Sequence, residues 1–270
     1  MFDAYGRRVD YLRVSVTDRC NLRCTYCMPA SGVTWLPHGR ILSFEAIAAV
    51  ARAAAALGFT KVRVTGGEPL VRRGVAELVS LLAAIPELTF IGMTTNGTLL
   101  APLAADLKAR GLSAVNVSLD TLDPARFAAL TRGGDVAAVL AGVRAARAAG
   151  LPVKLNVVVP TAGPDAAAAA SDLVQVREFA AAHGCAVQTI QRYRLDATKQ
   201  DGHMTLRPPP CADCNRLRLL ATGELKPCLH GDTIIPIDFA DIAGSIRAAV
   251  ALKPPCGARA REHLVSAIGG

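Results

Sequence analysis

Short β-branched runs alternate with longer helical stretches about six times between residues 11 and 191, and this alternation constrains the chain more than any other feature. The strand-like runs are YLRVSV (11–16), TKVRVTG (60–66), TFIGMTTN (89–96), SAVNVSLD (113–120), VKLNVVV (153–159) and CAVQTIQ (185–191). Among the intervening segments, SFEAIAAVARAAAALG has Ser43 as an N-cap and Gly58 as its closing residue. In DVAAVLAGVRAARAAG, Asp135 caps, Val136, Val139, Leu140 and Val143 form one apolar stripe, and Gly150 ends the helix. Repeats of this kind predict an α/β fold, a parallel sheet with helices outside. With so many repeats and no glycine-rich dinucleotide fingerprint, a complete or partial barrel is expected rather than an open sheet. Chemistry in such barrels gathers at the C-terminal ends of the strands. There the sequence places a cysteine cluster, GGEP, TNG and SLD, after the first four runs in turn.

From about residue 197 the pattern changes. ATKQDGHMTLRPPP is polar and proline-rich and reads as a loop, and the tail beyond it lacks clear periodicity. Residues 1–196 and 197–270 are therefore expected to be two parts. No apolar run approaches the roughly 18 residues of a membrane span. The N-terminal MFDAYGRRVD has no apolar leader core, so a cytoplasmic location without membrane attachment is expected. The formal charge of +8 suits an anionic partner, or merely a basic proteome. With 4% aromatics and no Lys/Arg run, a nucleic-acid-binding surface is not expected.

Six of the eight cysteines fall in two triplets. Cys20, Cys24 and Cys27 follow the first strand as C-x3-C-x2-C. Three thiolates on one loop can hold three irons of a [4Fe–4S] cluster and leave the fourth open. A closed zinc site wants four ligands, and none follows locally. With Tyr26 before the third cysteine and TGGEP (65–69) at the second strand's end, the chain resembles the radical S-adenosylmethionine (SAM) superfamily. The resemblance implies that the open iron chelates SAM, whose reductive cleavage gives a 5′-deoxyadenosyl radical. Gly66, Gly67 and Glu68 would then belong to the SAM site, the glycines letting backbone approach the ligand.

Cys211, Cys214 and Cys228 form the second triplet, C-x2-C-x13-C. By spacing alone it could be half a zinc ribbon, completed by His203, His230, Cys256 or Cys185, in a metal-stabilised binding protein. The surroundings extend the resemblance. LRVSVTDRCNLRCTYCMP, KVRVTGGEPLVR, MTTNGTLL, VNVSLDTLDPARF, CNRLRLLATGELKPCL and the terminal GG are similar to the GTP 3′,8-cyclases of molybdenum cofactor biosynthesis. That family implies a partial (β/α)6 TIM-like barrel of the radical SAM type, with a C-terminal segment closing its mouth. It implies two [4Fe–4S] clusters, the second open to the guanine of GTP. Tyr26, Ser118 and Asn156 would contact SAM. Arg13, Arg63, Thr94, Lys154, Arg216, Leu217 and Arg218 would contact GTP, with Arg216, Arg218, Gly269 and Gly270 in catalysis. Charge-assisted bonds from Arg and Lys suit a triphosphate. Arg13 and Arg63, inside otherwise apolar strands, could instead pair with Glu68 or Asp120. The implied partners are an electron donor such as flavodoxin or ferredoxin and a downstream cyclic pyranopterin monophosphate synthase. The chain would be a monomer or homodimer.

One stretch departs from the family. In QTIQRYR (188–194), Gln188 and Gln191 replace an arginine and a glutamate, and Tyr193 stands where a SAM-contacting methionine is expected. Arg192 and Arg194 lie close by. A different nucleotide or a peptide is the alternative substrate. Cys185 reads as a buried strand thiol, and Cys256 has no assigned role.

Overall fold

The computed structural model describes residues 1–160, 163, 165–192 and 210–260. All six expected strands form: β1 Tyr11–Ser15, β2 Lys61–Thr65, β3 Phe90–Thr95, β4 Ala114–Ser118, β5 Val153–Val159 and β6 Ala186–Gln191. The helices are α1 Phe44–Ala56, α2 Val75–Ala83, α3 Ala104–Ala109, α4 Pro124–Thr131, α5 Val136–Ala148, α6 Ala166–Ala182 and α7 Ile242–Ala251. Capping follows the sequence closely. Ser43 Oγ accepts from Ala46 N, and Asp135 Oδ1 accepts from Ala137 N. Gly58 and Gly150, one residue past their C-caps, take φ of +89° and +75°, which L side chains rarely adopt. On α5 the buried stripe includes Val136, Val139 and Val143, while Leu140 lies at its margin.

Strands β1 to β6 lie side by side in sequence order and parallel. Alternate residues face the helices: Leu12, Val14, Val62, Val64, Met93, Val115, Val117 and Leu155 are all fully buried in one continuous core. The opposite face of the same strands carries the polar residues, so the barrel interior is free for chemistry.

The described part of the tail that lacked periodicity, 210–260, joins the same sheet and its core. It contains three more short strands, β7 Arg216–Leu219, β8 Glu224–Lys226 and β9 Ile235–Pro236, and the stretch read as a loop, 197–209, lies outside the described residues. β7 pairs parallel to β1, β8 is antiparallel to β7, and β9 is antiparallel to β8. The sheet order is β6-β5-β4-β3-β2-β1-β7-β8-β9, with β6 and β9 as its two edges, so the barrel is partial. Helix α7 buries Ile246, Ala249 and Val250 in the same core. β1 thus has the barrel's second strand on one side and the last parallel strand of the chain on the other.

Candidate functional site

The first cysteine triplet sits on the loop after β1, above the C-terminal strand ends. Cys27 N and Met28 N both donate to Cys24 O, at 2.9 and 3.1 Å, which folds the loop into a helical turn. Leu22 N donates to Cys20 Sγ at 3.4 Å, and Asn96 Nδ2 reaches the same sulfur at 3.8 Å. Burial, then the nearby Asp120 and Cys20 charges, pushes the Cys24 thiol up to about 12. Burial pushes Cys27 up too, with the other two cysteines adding to it. Three thiols that resist ionisation side by side fit a cationic iron cluster, whose charge favours the thiolate form.

GGEP grips that loop from β2. Gly67 N donates to Thr17 O at 2.7 Å and Glu68 N to Arg19 O at 2.8 Å. A Cβ on Gly67 would lie 2.4 Å from Arg19 O, and one on Gly66 would lie 2.6 Å from Thr17 O. The crowding that demands glycine here comes from the backbone that leads into the cysteine loop, at Thr17, Asp18 and Arg19. Glu68 is buried, and its oxygens accept from Leu70 N (2.9 Å), Thr95 Oγ1 (2.7 Å) and Asn96 N (2.6 Å). Burial still lifts its carboxyl to about 7, against those three hydrogen bonds. Its contacts join the ends of β2 and β3.

Tyr26 donates its hydroxyl to Asp120 Oδ2 at 2.7 Å, and Val158 N donates to Asp120 Oδ1 at 2.7 Å. The Arg192 guanidinium lies 5.6 Å from the centre of the Tyr26 ring. A cavity beside the triplet is lined by Gly66, Gly67, Thr94, Ser118 and Asn156, and by Ile190, Gln191 and Arg192 from β6 and its end. Gln191, one of the residues that depart from the family, therefore lines the cavity. Gln188 sits lower on β6, opposite Asn156. Tyr193, Arg194, His203, Gly269 and Gly270 lie outside the described residues.

Below this cavity the register brings three arginines level. Arg13 of β1 stands opposite Arg63 of β2 on one side and Arg218 of β7 on the other. Burial, and then the charges of Arg218, Arg216 and Arg63, pulls the Arg13 guanidinium well below its usual range. Arg63 does not reach Glu68 or Asp120, whose oxygens are taken as described. It donates to the Tyr11 hydroxyl and to Met93 O (3.0 Å), and it lies over the Phe90 ring. Gly92, which the sequence did not single out, makes room: a Cβ there would lie 2.8 Å from Arg63 Nη2. Lys154 stands level with Asn116, itself level with Thr94. Leu217 is fully buried in the helical core, so its side chain packs away from the arginine row.

The β7–β8 hairpin assembles the second triplet. Cys211 opens a short 3-10 turn, and Cys214 ends it just before β7. Arg218 pairs with Lys226, which brings Cys228 level with Arg216, two residues from Cys214. Because Tyr11 pairs with Arg216, this triplet lies at the start of β1. The first triplet lies beyond its end. The two are separated by a strand's length, on the order of 20 Å at about 3.3 Å per residue, with the arginine row between them. The segment expected to close the barrel's mouth thus presents its cysteines at the opposite end of the strands.

Burial alone would raise Cys214, but the Lys253 ammonium and Arg216 bring its thiol down to about 7. Burial raises Cys228, whose sulfur accepts from the His230 backbone N–H. Gly257 N donates to Cys211 Sγ at 3.2 Å. Among the described residues, no three His, Cys, Asp or Glu side chains are grouped tightly enough to hold a single metal ion. In a cubane each thiolate binds its own iron, so three thiolates suffice for a cluster, whereas a closed zinc site takes four ligands. Cys185 is half-buried against the core and Cys256 is exposed. Neither joins a triplet in the contacts seen.

Residues 14–166 match the family model of the radical SAM superfamily, and the chain belongs to it. Two solved structures share the fold. Streptococcus suis SuiB bound to S-adenosylmethionine aligns with a TM-score of 0.64 at 15% identity, over 89% of this chain and 68% of that one. Histidine-tagged anSMEcpe with bound AdoMet aligns at 0.67 and 16%, over 91% and 80%. Sequence relatives narrow the class. GTP 3′,8-cyclase of Pelotomaculum thermopropionicum is 42% identical over 98% of this chain and 96% of its own length. The enzymes of that name from Geobacter sulfurreducens and Mycolicibacterium smegmatis are 37% and 38% identical, over 99% and 94% of this chain and 95% and 86% of theirs. Within the superfamily the chain is a member of the GTP 3′,8-cyclase family. Iron–sulfur and S-adenosylmethionine cofactors come with that membership. Among the described residues no helix is long and apolar enough to cross a membrane.

Proposed function

We propose that the chain cyclises GTP to 3′,8-cyclo-7,8-dihydro-GTP, joining C3′ of the ribose to C8 of guanine, the first step of molybdenum cofactor biosynthesis. Cys20, Cys24 and Cys27 hold one [4Fe–4S] cluster, and Cys211, Cys214 and Cys228 hold a second. With S-adenosylmethionine held by Tyr26, the Gly66–Glu68 segment, Ser118 and Asn156, that first cluster would supply one-electron radical chemistry aimed at C3′ of the ribose. The observation that carries this reading is the arginine row Arg218–Arg13–Arg63, level across three strands between the two triplets. Three adjacent guanidiniums repel one another, and a bound polyanion relieves that repulsion while being held by charge-assisted bonds.

The chain's own residues then divide the work. Arg13, Arg63, Arg216, Arg218, Lys154 and Thr94 hold and orient the nucleotide, with Leu217 as their packed support. Ser118, Asn156, Tyr26 and the Gly66–Glu68 segment shape the SAM site. Gly269 and Gly270 complete catalysis at the C-terminus. Residues 1–196 form the radical-generating barrel and share in the nucleotide site, while 197–270 carry the second cluster and the rest of the substrate-binding residues. A flavodoxin- or ferredoxin-type protein donates the electron in the cytoplasm, and the product passes to a cyclic pyranopterin monophosphate synthase.

The test is anaerobic reconstitution, followed by incubation with reductant, SAM and GTP and mass analysis of the products. About eight irons per chain are expected, four per cubane, together with 5′-deoxyadenosine and a cyclised nucleotide. Deoxyadenosine with unchanged GTP would overturn the substrate assignment. Zinc in place of iron would overturn the chemistry. Parallel assays with ATP and other nucleoside triphosphates test whether the changed β6 residues alter base choice.

A further inference from the structure

The segment after α7 carries a lysine, not singled out in the sequence, into the second triplet. Lys253 is only 3% exposed. Its Nζ donates to Arg216 O at 2.7 Å, to Pro227 O at 3.0 Å and to Cys214 Sγ at 3.8 Å. An ammonium has three donors, and here it meets three acceptors. Two are carbonyls at the paired ends of β7 and β8, one from each side of the hairpin. The third is a thiol of the triplet. A buried cation is costly unless an anion balances it. Among the described residues no carboxylate lies within 4.0 Å of this nitrogen; the ion pairs present involve other residues. The anion available to it is the cysteine sulfur.

The segment is bolted in place from the far end of the chain. Arg7 donates to Cys211 O (2.9 Å), Pro255 O (3.0 Å) and Pro254 O (2.6 Å), and its Nε donates to Asp3 (2.6 Å). Gly257 N adds a second donor to the triplet, at Cys211 Sγ. Two thiols thus receive hydrogen bonds from the short segment 253–257, and one of the donors is charged.

We infer that Lys253 is a positioning residue for the second iron–sulfur cluster, fixing the Cys214 thiolate by hydrogen bond and setting the cluster's reduction potential through its charge. This rests on the reading of the second triplet as a cluster site. Hydrogen bonds to cluster sulfurs and local charge are among the levers that set such potentials. A donor and a positive charge beside the thiolate favour the reduced, more negative cluster, so removing them lowers the potential.

The test uses the full-length chain with Cys20→Ser, Cys24→Ser and Cys27→Ser, so that only the second cluster contributes. Iron content and a redox titration followed by electron paramagnetic resonance are compared for this background, for added Lys253→Met and for added Lys253→Arg. The background should hold about four irons. With Lys253→Met the cluster should be reducible only at a more negative potential, by at least a tenfold change in the reduced-to-oxidised ratio, about 59 mV for one electron. Lys253→Arg should recover most of that shift. Loss of the cluster in the Met variant, recovered in the Arg variant, also supports the role. A Met variant with full iron and an unmoved potential overturns it. Loss of the cluster in both variants, with equal loss of thermal stability in the apo chain, overturns it in favour of a purely structural lysine. No iron in the background itself refutes the cluster reading instead, a distinct failure.

Discussion

Gly67→Ala tests how the cysteine loop is held. The added methyl would meet only backbone: Arg19 O at 2.4 Å, Asp18 O at 2.5 Å and Arg19 C at 2.7 Å. No flexible side chain can yield, so the two backbone segments must separate. Separation breaks the hydrogen bonds from Gly67 N to Thr17 O and from Glu68 N to Arg19 O. Two such bonds are worth about 1 kcal/mol each. Forced overpacking adds about 1–3 kcal/mol. A loss of about 3–5 kcal/mol lowers Tm by roughly 6–20 °C in a domain of this size. The displaced loop also carries Cys20, so iron at the first site should fall with stability. Gly39→Ala is the control, because a Cβ there meets nothing within 4 Å and its φ is not positive. The assay is thermal melting of the apo chain and iron per chain after reconstitution. If Gly67→Ala keeps its Tm within about 2 °C of wild type and takes up full iron, the close-approach argument is refuted.

Arg7→Ala removes the donor to Cys211 O, Pro254 O and Pro255 O, and iron should fall from about eight per chain toward about four, with the first cluster retained. Asp172→Ala removes a buried carboxylate that accepts from Thr121 Oγ1 and Arg126 Nε, tying α6 to α4 and the end of β4; the apo chain should lose about 2–3 kcal/mol, read by urea denaturation. Asp3 has its carboxyl held below its ordinary value, because hydrogen bonds from the backbone of Arg7 and Tyr5 and from the Arg7 side chain outweigh burial, which alone would raise it. A depressed folded-state pKa stabilises above the unfolded value near 3.8, and that contribution fades as pH falls through the folded value. The Tm gap between wild type and Asp3→Asn should therefore be full at about pH 6 and shrink below about pH 4.

The barrel was legible because each strand had a β-branched run and each major helix a capping signal, as Ser43, Asp135, Gly58 and Gly150 illustrate. The cysteine triplets were legible because ligand spacing is local. The tail was not. RLRL, ELK and IP are too short to show a period, and they become strands only because β1 offers an open edge. The packing of the GGEP glycines against residues 17–19 was not legible either, because it is made only by the fold. Lys253 and Arg7 lie far from Cys214 and Cys211 in sequence, and no local pattern marks a partner brought close only by the fold.

The place of β1 between β2 and β7 sets an order on biosynthesis. The arginine row has two members near the start of the chain and one at residue 218. While a nascent chain is still short of that residue, its N-terminal loop already contains every cysteine of the first triplet. The complete arginine row does not yet exist. Such non-local pairing is also slow to form, because the intervening barrel must first bring its ends together. The last parallel strand thus serves as a completion signal: truncation upstream of it leaves the first triplet and the Arg13–Arg63 pair without the third member of the row.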